Sequence, residues 1–456
     1  MRDLHVVILA AGKGTRMKSE IPKVLHEAHG LPLIEHVLRT AVSLEPASIV
    51  VVVGHQAGAV QRGTPSHDRL MFAVQEPQLG TGHALLQAEQ HLRGKRGTVV
   101  LLSGDVPLLR AETVRMLLAR HQERRAAATV VTAVLEDPSG YGRIVRRQGA
   151  LEGIVEHRDA TPEQKQIHEI NSGIFAFDLE PLFDALRALG TSNAQGEYYL
   201  TDLIHSYRQR GLGVDALIVA DAREVLGVNS RKELADVADI LRSSKNEALM
   251  ESGVTLVDPS TTYIGPDVSI GADTVIHPCV FLEGRTSIGS NCVIHSGVRI
   301  VDSEVENGVV VNNFCVITES RIRAGARLGP FAHIRPASDV GEQAHVGNFV
   351  ELKKTALGRG SKANHLAYLG DATIGNKVNV GAGTITCNYD GKVKSQTIIE
   401  DGAFIGSDSQ LIAPVRIGAG AYVAAGSSIT EDVPSGALAI ARGRQVNKER
   451  WTEKKR

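Results

Sequence analysis

An aliphatic side chain returns at every sixth position over much of this chain, and few folds accommodate such a rhythm. Ile264, Ile270, Ile276, Leu282, Ile288, Ile294 and Ile300 keep one phase, and Val305, Val311 and Ile317 a second. Ile322, Leu328, Ile334, Val340, Val346 and Leu352 keep a third, and the period returns from Ile405 to Ile429. Each phase change is a one-residue deletion, which a turn can absorb. A six-residue period matches neither an α-helical turn of roughly 3.6 residues nor the alternation of a hairpin strand. It predicts a parallel β-helix in which each hexapeptide adds one aliphatic side chain to a central stack. Glycine often follows the aliphatic residue, as at Gly265, Gly271, Gly289, Gly341 and Gly418. The expected reason is a tight corner with positive φ, which glycine adopts without steric cost.

With 456 residues the chain exceeds what one core supports, and it predicts two or three domains. The first half alternates strand-like runs at Val6 to Ala10, Ile49 to Val53, Val99 to Leu102 and Thr129 to Leu135 with helical patterns at Pro32 to Leu44, Gly82 to Leu92 and Ala111 to Arg125. That order predicts an α/β domain with a mostly parallel sheet covered by helices, and ligands bound beyond the carboxyl ends of its strands. A connecting helix is expected from about Arg231 to Glu251, N-capped by Ser230, with Glu233 closing a capping box and Gly253 ending it. The expected division is a first domain over 1–230, a helical linker over 231–252, and a β-helix with a C-terminal tail over 253–456.

Lys and Arg number 50 against 51 Asp and Glu, for a formal net charge of −1. This argues against a nucleic-acid-binding surface and leaves room for local basic sites that take small phosphorylated ligands. Cys279, Cys292, Cys315 and Cys387 show no C-x-x-C spacing and are expected as buried thiols in a reducing compartment. No apolar run approaches the roughly 18 residues of a membrane span. The early run Val6 to Ala11 is too short for a signal peptide and breaks at Gly12-Lys13. A soluble, cytoplasmic protein is expected.

The first strand runs into Leu9-Ala-Ala-Gly-Lys-Gly-Thr-Arg-Met17, followed by Pro22-Lys23. Small residues let backbone N–H groups approach phosphates, while Lys13, Arg16 and Lys23 offset negative charge. The loop is neither a Walker A motif nor a dinucleotide fingerprint, since the third glycine position holds Met17. As a whole it resembles the signature of sugar-1-phosphate nucleotidyltransferases. Gln75, Leu79-Gly-Thr-Gly-His83, Ser103-Gly-Asp105, Tyr141-Gly-Arg143, Glu156, Asn171-Ser-Gly173 and Val228-Asn229 follow in order. Together with the second half, they make the chain resemble, over essentially its entire length, the bifunctional family that joins N-acetylglucosamine-1-phosphate uridyltransferase to glucosamine-1-phosphate N-acetyltransferase.

The resemblance implies a Rossmann-like nucleotidyltransferase domain and a left-handed parallel β-helix. It implies that Leu9, Ala10, Ala11, Gly12, Gln75, Gly80 and Thr81 hold the uridine nucleotide, and that Gly142, Glu156 and Asn171 meet the sugar. Arg16, Lys23, Ser103, Gly104 and Asn229 belong to the same combined site, and Asp105 with Asn229 coordinates Mg²⁺. Ser103 stands where relatives often carry an aromatic residue, so only its backbone role is expected to carry over. The chemistry asks for such a set: a sugar-phosphate oxygen attacks the α-phosphate of UTP and expels pyrophosphate, which needs positioning and charge neutralisation.

In the β-helix, chemistry is sought where regularity fails: at Lys353-Lys354, at Asn364-His-Leu-Ala-Tyr-Leu-Gly370, and at Thr386-Cys-Asn-Tyr-Asp-Gly391 before Thr397-Ile-Ile399. A polar insertion leaving a solenoid can wall a cleft between subunits. The segment around His365 resembles the acetyltransferase active site, which implies His365 as general base, a task suited to an imidazole near neutral pH. It further implies Arg335, Lys353, Tyr368 and Asn379 on the sugar phosphate. Ala382, Ser407, Ala425 and Arg442 match acetyl-CoA positions, with Asn388, Tyr389 and Lys394 on the intervening loop. The implied substrates are glucosamine 1-phosphate, acetyl-CoA, N-acetylglucosamine 1-phosphate and UTP, and the implied assembly is a homotrimer of parallel prisms. The basic tail from Arg442 to Arg456, with the only tryptophan at Trp451, reads as a solvated end or as a partner for CoA phosphates. Two competing readings stay open: a monofunctional nucleotidyltransferase whose β-helix only assembles subunits, and a non-catalytic assembly module.

Overall fold

In the computed structural model, which describes residues 3–453, the apolar runs of the first half become strands of one nine-stranded sheet. Its main order is Val214–Ile218, Ala128–Val134, Glu169–Asp178, Thr98–Ser103, Leu4–Ala10, Ser48–Val53 and Leu70–Val74. Val6, Val7, Ile8 and Ile49 to Val53 are fully buried, because the sheet is covered on both faces. Val7, Val50 and Val52 pack into one apolar layer, and Val6, Ile8, Ile49, Val51 and Val53 into the other.

Six of the seven strands in this order run in one direction, as expected of a mostly parallel sheet, and one is reversed. Glu169–Asp178 runs antiparallel to both neighbours and carries the hairpin Arg143–Arg147 with Ala150–Val155 at its edge. Arg-Ile-Val-Arg-Arg is too charged to register as a buried run, so this part of the sheet gave no apolar signal. The helix expected over Gly82 to Leu92 is two pieces, Thr81–Leu86 and Glu89–Leu92, where Gln87 and Ala88 make tighter N–H bonds to the third residue before them. From Leu4–Ala10 the chain passes to Ser48–Val53 on one side and later to Thr98–Ser103 on the other. The crevice beyond Ala10 and Ser103 is therefore a topological switch point.

The second half winds into three parallel sheets of 11, 10 and 9 strands, each coil placing one hexapeptide in each sheet. The first face includes His345–Asn348 and Lys362–His365, the second Glu351–Lys353 and Tyr368–Gly370, and the third Ala356–Leu357 and Ala372–Ile374. The periodic residues form the expected stack, with Ile264, Ile276, Leu282, Ile294 and Ile300 fully buried. Both deletions, between Ile300 and Val305 and between Ile317 and Ile322, fall at the corner where the second face turns into the third. The polar insertion after Cys387 leaves from the same corner.

The five glycines that follow the aliphatic residues do not have positive φ, so the expected reason for them is replaced by another. A Cβ built on Gly271 would lie 2.7 Å from Ser290 N, and one on Gly341 2.6 Å from Leu357 O. At Gly271, Gly289, Gly341 and Gly418 the requirement is close approach of the next coil, whereas a Cβ on Gly265 would meet nothing nearer than 3.4 Å. Positive φ falls instead on residues such as Asp273, Asn291 and Phe331. Cys292 and Cys315 are buried as expected, but Cys387 is half-buried and Cys279 is exposed, at a coil corner with φ 60°.

The chain divides into two units, Met1–Leu241 and Arg242–Arg456, and the division falls inside the helix Arg231–Glu251. In the first unit Leu234, Val237, Ala238 and Leu241 pack with Leu33 and Val228. In the second, Leu249 joins the β-helix stack, and Asn246 Nδ2 donates to the Pro259 and Thr262 carbonyls at 2.9 and 3.1 Å, sealing the first coil. At the start of the helix Glu233 N donates to Ser230 Oγ at 3.2 Å, but the Glu233 carboxylate accepts from Asn229 N at 2.6 Å rather than from Ser230. No helix of the described residues is long and apolar enough to cross a membrane.

Candidate active sites

The parallel pairing that sets Leu9 opposite Ser103 brings the Gly-rich loop and Ser103-Gly-Asp105 to one cleft of about 1000 Å³. Leu9, Ala10, Ala11, Gly12, Lys23, Gln75, Gly80, Thr81, Ser103 and Asp105 all line it. Gly104 N donates to Leu9 O at 2.9 Å and ties the two strand ends together. Gly80 takes φ 107°, and a Cβ there would meet Tyr198 O at 2.8 Å, so this is a position for glycine alone. Gln75 Nε2 donates to Gly80 O at 2.9 Å and fixes that turn. Arg16 is exposed on the short Thr15–Met17 turn outside the cleft lining. Gln78, absent from the expected set, lines the cleft and donates to Ala11 O at 2.7 Å. No spacing rule singles it out.

The residues expected to meet the sugar converge through the antiparallel strands that the apolar pattern missed. Asn171 N donates to Gly142 O at 2.9 Å, and a Cβ on Gly142 would stand 3.5 Å from Asn171 Cβ and 3.6 Å from Glu156 Oε1. The register of Glu169–Asp178 shifts between Asn171 and Phe175, and such a bulge re-aims the chain. It carries Gly173 against Ser103, joining this subsite to the nucleotide cleft. Burial pushes the Glu156 carboxyl above the usual range, with Asp202, Asp159 and Glu197 adding to the rise and Thr201 Oγ1, which donates to it at 3.0 Å, opposing it.

Lys23 Nζ pairs with Asp105 Oδ2 and donates to Asn229 Oδ1 at 3.1 Å. Asn229 is oriented by its own Nδ2, which donates to Gly227 O at 2.9 Å, and Val228 N donates to Asp105 O at 2.9 Å. One carboxylate oxygen and one amide oxygen thus converge on a single cation, here an ammonium. Hard oxygen donors of this kind fit Mg²⁺. No cluster of three His, Cys, Asp or Glu exists among the described residues, so an ion here would complete its shell from phosphates and water.

In the β-helix His365 is exposed at the end of a first-face strand, where the chain turns to the second face. The ladder places Asn348, His365, Ala382, Ser407 and Ala425 at one position of successive coils, about 4.8 Å apart. Asp408 N donates to Ala382 O at 2.7 Å and Gly426 N to Ser407 O at 2.8 Å, which keeps the column straight. Arg442 Nη1 donates to Ala425 O at 2.6 Å at its far end. The positions expected for acetyl-CoA therefore run in line from His365. Asn348 Oδ1 lies 2.7 Å from His365 Nδ1, a contact that no motif announced.

Tyr368 stands in the second face, and Arg335 and Lys353 at its far edge. Arg335 Nη1 reaches Glu351 Oε1 at 2.7 Å, and Glu351 is the register partner of Tyr368. A strip across this face therefore runs from an imidazole to two cations. Asn379 lies on the first face in register with Lys362, away from that strip. Asn388, Tyr389 and Lys394 leave the coil at the second-to-third corner, where Tyr389 and Lys394 pair across a small hairpin and Asn388 Nδ2 bonds Asp371 Oδ2. Within one chain they do not join the His365 column.

Residues 6–173 match the family model of the MobA-like NTP transferase domain, and residues 396–431 match the bacterial transferase hexapeptide (six repeats). Relatives named bifunctional protein GlmU match end to end. That of Halalkalibacterium halodurans is 51% identical, with 100% of both chains covered, and that of Shouchella clausii likewise 51% identical with 100% of both covered. That of Enterococcus faecalis is 50% identical over 100% of this chain and 99% of its own. With both sites built on such a framework, this chain belongs to the bifunctional GlmU family, enzymes of UDP-N-acetylglucosamine biosynthesis.

Proposed function

We propose that the β-helix acetylates glucosamine 1-phosphate with acetyl-CoA, and that the first unit then transfers UMP from UTP to the N-acetylglucosamine 1-phosphate so formed, releasing pyrophosphate. One observation carries this reading: Asp105 and Asn229 converge on a cation in one unit, while an exposed imidazole heads a straight column in the other.

In uridylyl transfer the backbone of Leu9 to Gly12 and the Lys23 cation receive the phosphates, and Gly142, Glu156 and Asn171 hold the sugar. Mg²⁺ held by Asp105 and Asn229 would supply neutralisation of charge on the phosphates. The sugar-phosphate oxygen bonds to the α-phosphorus as the bond to pyrophosphate breaks, so positioning supplies most of the catalysis. In acetyl transfer Arg335 and Lys353 hold the phosphate and Tyr368 the sugar. The amine nitrogen bonds to the thioester carbonyl carbon, His365 Nε2 takes the amine proton, and the C–S bond breaks with the thiolate leaving to be protonated.

The assembly we propose is a homotrimer of parallel prisms, in which the Asn388–Lys394 hairpin and Asn379 of one subunit complete the site of another. An apolar ridge supports it. Phe314, Phe331 and Phe349 stack with ring centroids 5.2 Å apart on the corner that carries Leu366, each 46% exposed or more. An exposed apolar ladder of this kind is a contact surface. The cytoplasm is the compartment where UTP and acetyl-CoA both occur.

Both half-reactions measured on one purified sample test the proposal: thiol release from acetyl-CoA with glucosamine 1-phosphate, and pyrophosphate release from UTP with N-acetylglucosamine 1-phosphate, the latter abolished by chelator. Absence of thiol release would leave only the nucleotidyltransferase. Sedimentation of the chain and of Phe331→Asp tests the trimer, which the variant should weaken.

A further inference from the structure

We propose that Asn348 is a positioning residue for acetyl transfer, its side-chain oxygen holding His365 in the tautomer whose Nε2 lone pair takes the proton. The inference rests on His365 being the base. Asn348 Oδ1 lies 2.7 Å from His365 Nδ1, and a side-chain amide oxygen only accepts hydrogen bonds. Nδ1 therefore carries the hydrogen and Nε2 is left basic.

The backbone makes this contact reproducible. Asn348 and His365 are register partners on adjacent coils, and Leu366 N donates to Asn348 O at 3.1 Å. A Cβ on Gly347 would overlap the Asn364 carbonyl, so glycine is what lets the two coils close at this corner. The amide also has the right charge. A carboxylate at 348 would orient the ring equally well but would stabilise imidazolium and keep the base protonated near neutral pH, whereas an amide orients it without that penalty. The titratable and charged groups on the strands around this corner are Arg327, His345 and Lys362 on the first face and His333, Glu351, Lys353 and Tyr368 on the second. Burial holds His345 below its usual range, with Arg327, Lys362 and His365 adding to the effect.

The test compares wild type, Asn348→Ala, Asn348→Asp and His365→Ala for acetylation kcat and KM across pH, with uridylyl transfer and thermal melting as controls of folding. In Asn348→Ala, kcat should fall about 10- to 100-fold, part of the 10² to 10⁴ that a general base supplies, with both KM values within about twofold. In Asn348→Asp the acid limb of the kcat profile should move up by about one pH unit or more. The substrate amine titrates identically in every variant, so a displacement between profiles belongs to the imidazole. An Asn348→Ala kcat within twofold of wild type, or an Asn348→Asp profile superimposed on wild type, overturns the positioning role. If His365→Ala itself acetylates at the wild-type rate, the base assignment falls instead.

Discussion

Asp105→Ala removes the carboxylate that pairs with Lys23, and the stranded ammonium keeps only Asn229 Oδ1 at 3.1 Å. The two side chains are 17% and 16% exposed, so the pair is largely desolvated. Stripping one partner from a fully buried pair costs about 3–5 kcal/mol. Residual exposure and the surviving bond reduce this to about 2 kcal/mol. For a unit of this size that lowers Tm by roughly 4–8 °C. Adding Lys23→Met deletes the stranded charge, so the double variant should regain most of the lost stability. Uridylyl transfer should not return with it, because the carboxylate proposed to hold Mg²⁺ is still missing. Calorimetry in chelator reads the first quantity and pyrophosphate release the second, with acetylation as the internal standard. A double variant as unstable as Asp105→Ala would show that the pair is not coupled, and recovery of uridylyl transfer would remove Asp105 from the chemistry.

Gly341→Ala should destabilise the β-helix by about 1–3 kcal/mol, since its Cβ would lie 2.6 Å from Leu357 O. Denaturant unfolding of the second unit measures it, and a neutral substitution would refute the close-approach reading of these glycines. Glu156 has a folded-state pKa raised by burial, so its contribution to stability is greatest below the ordinary carboxylate range and is lost as pH rises through the raised value. Glu156→Gln lacks that loss, and its melting temperature should gain on wild type as pH increases while KM for the sugar phosphate worsens. A pH-independent difference between the two proteins would contradict the shift.

The β-helix was legible because its period is intrinsic to the chain: Ile264 to Leu352 announce which side chains enter the stack and where residues are deleted. The reason for its glycines was not legible, since a coil passing over Gly271 or Gly341 depends on neighbours distant in sequence. In the first unit the buried runs around Val7, Ile49 and Val99 revealed the centre of the sheet. The antiparallel hairpin beginning at Arg143 escaped because its first strand, Arg143–Arg147, is mostly charged, and with the strand Glu169–Asp178 it gathers Gly142, Glu156 and Asn171. Motifs named Asp105, Asn229 and His365. They did not name Lys23 as the cation joining Asp105 to Asn229, nor Asn348 beside His365, because those contacts arise from strand register and chain crossover.

The most direct test of two independent sites on one chain is a mixing experiment. Asp105→Ala and His365→Ala are each supplied with glucosamine 1-phosphate, acetyl-CoA, UTP and Mg²⁺, and UDP-N-acetylglucosamine is measured. Neither alone should make it: the first should accumulate N-acetylglucosamine 1-phosphate and the second should leave its sugar unacetylated. An equal mixture of the two preformed proteins should restore synthesis, because each supplies the step the other lacks. Full synthesis by either variant alone, or none by the mixture of folded proteins, would contradict the account.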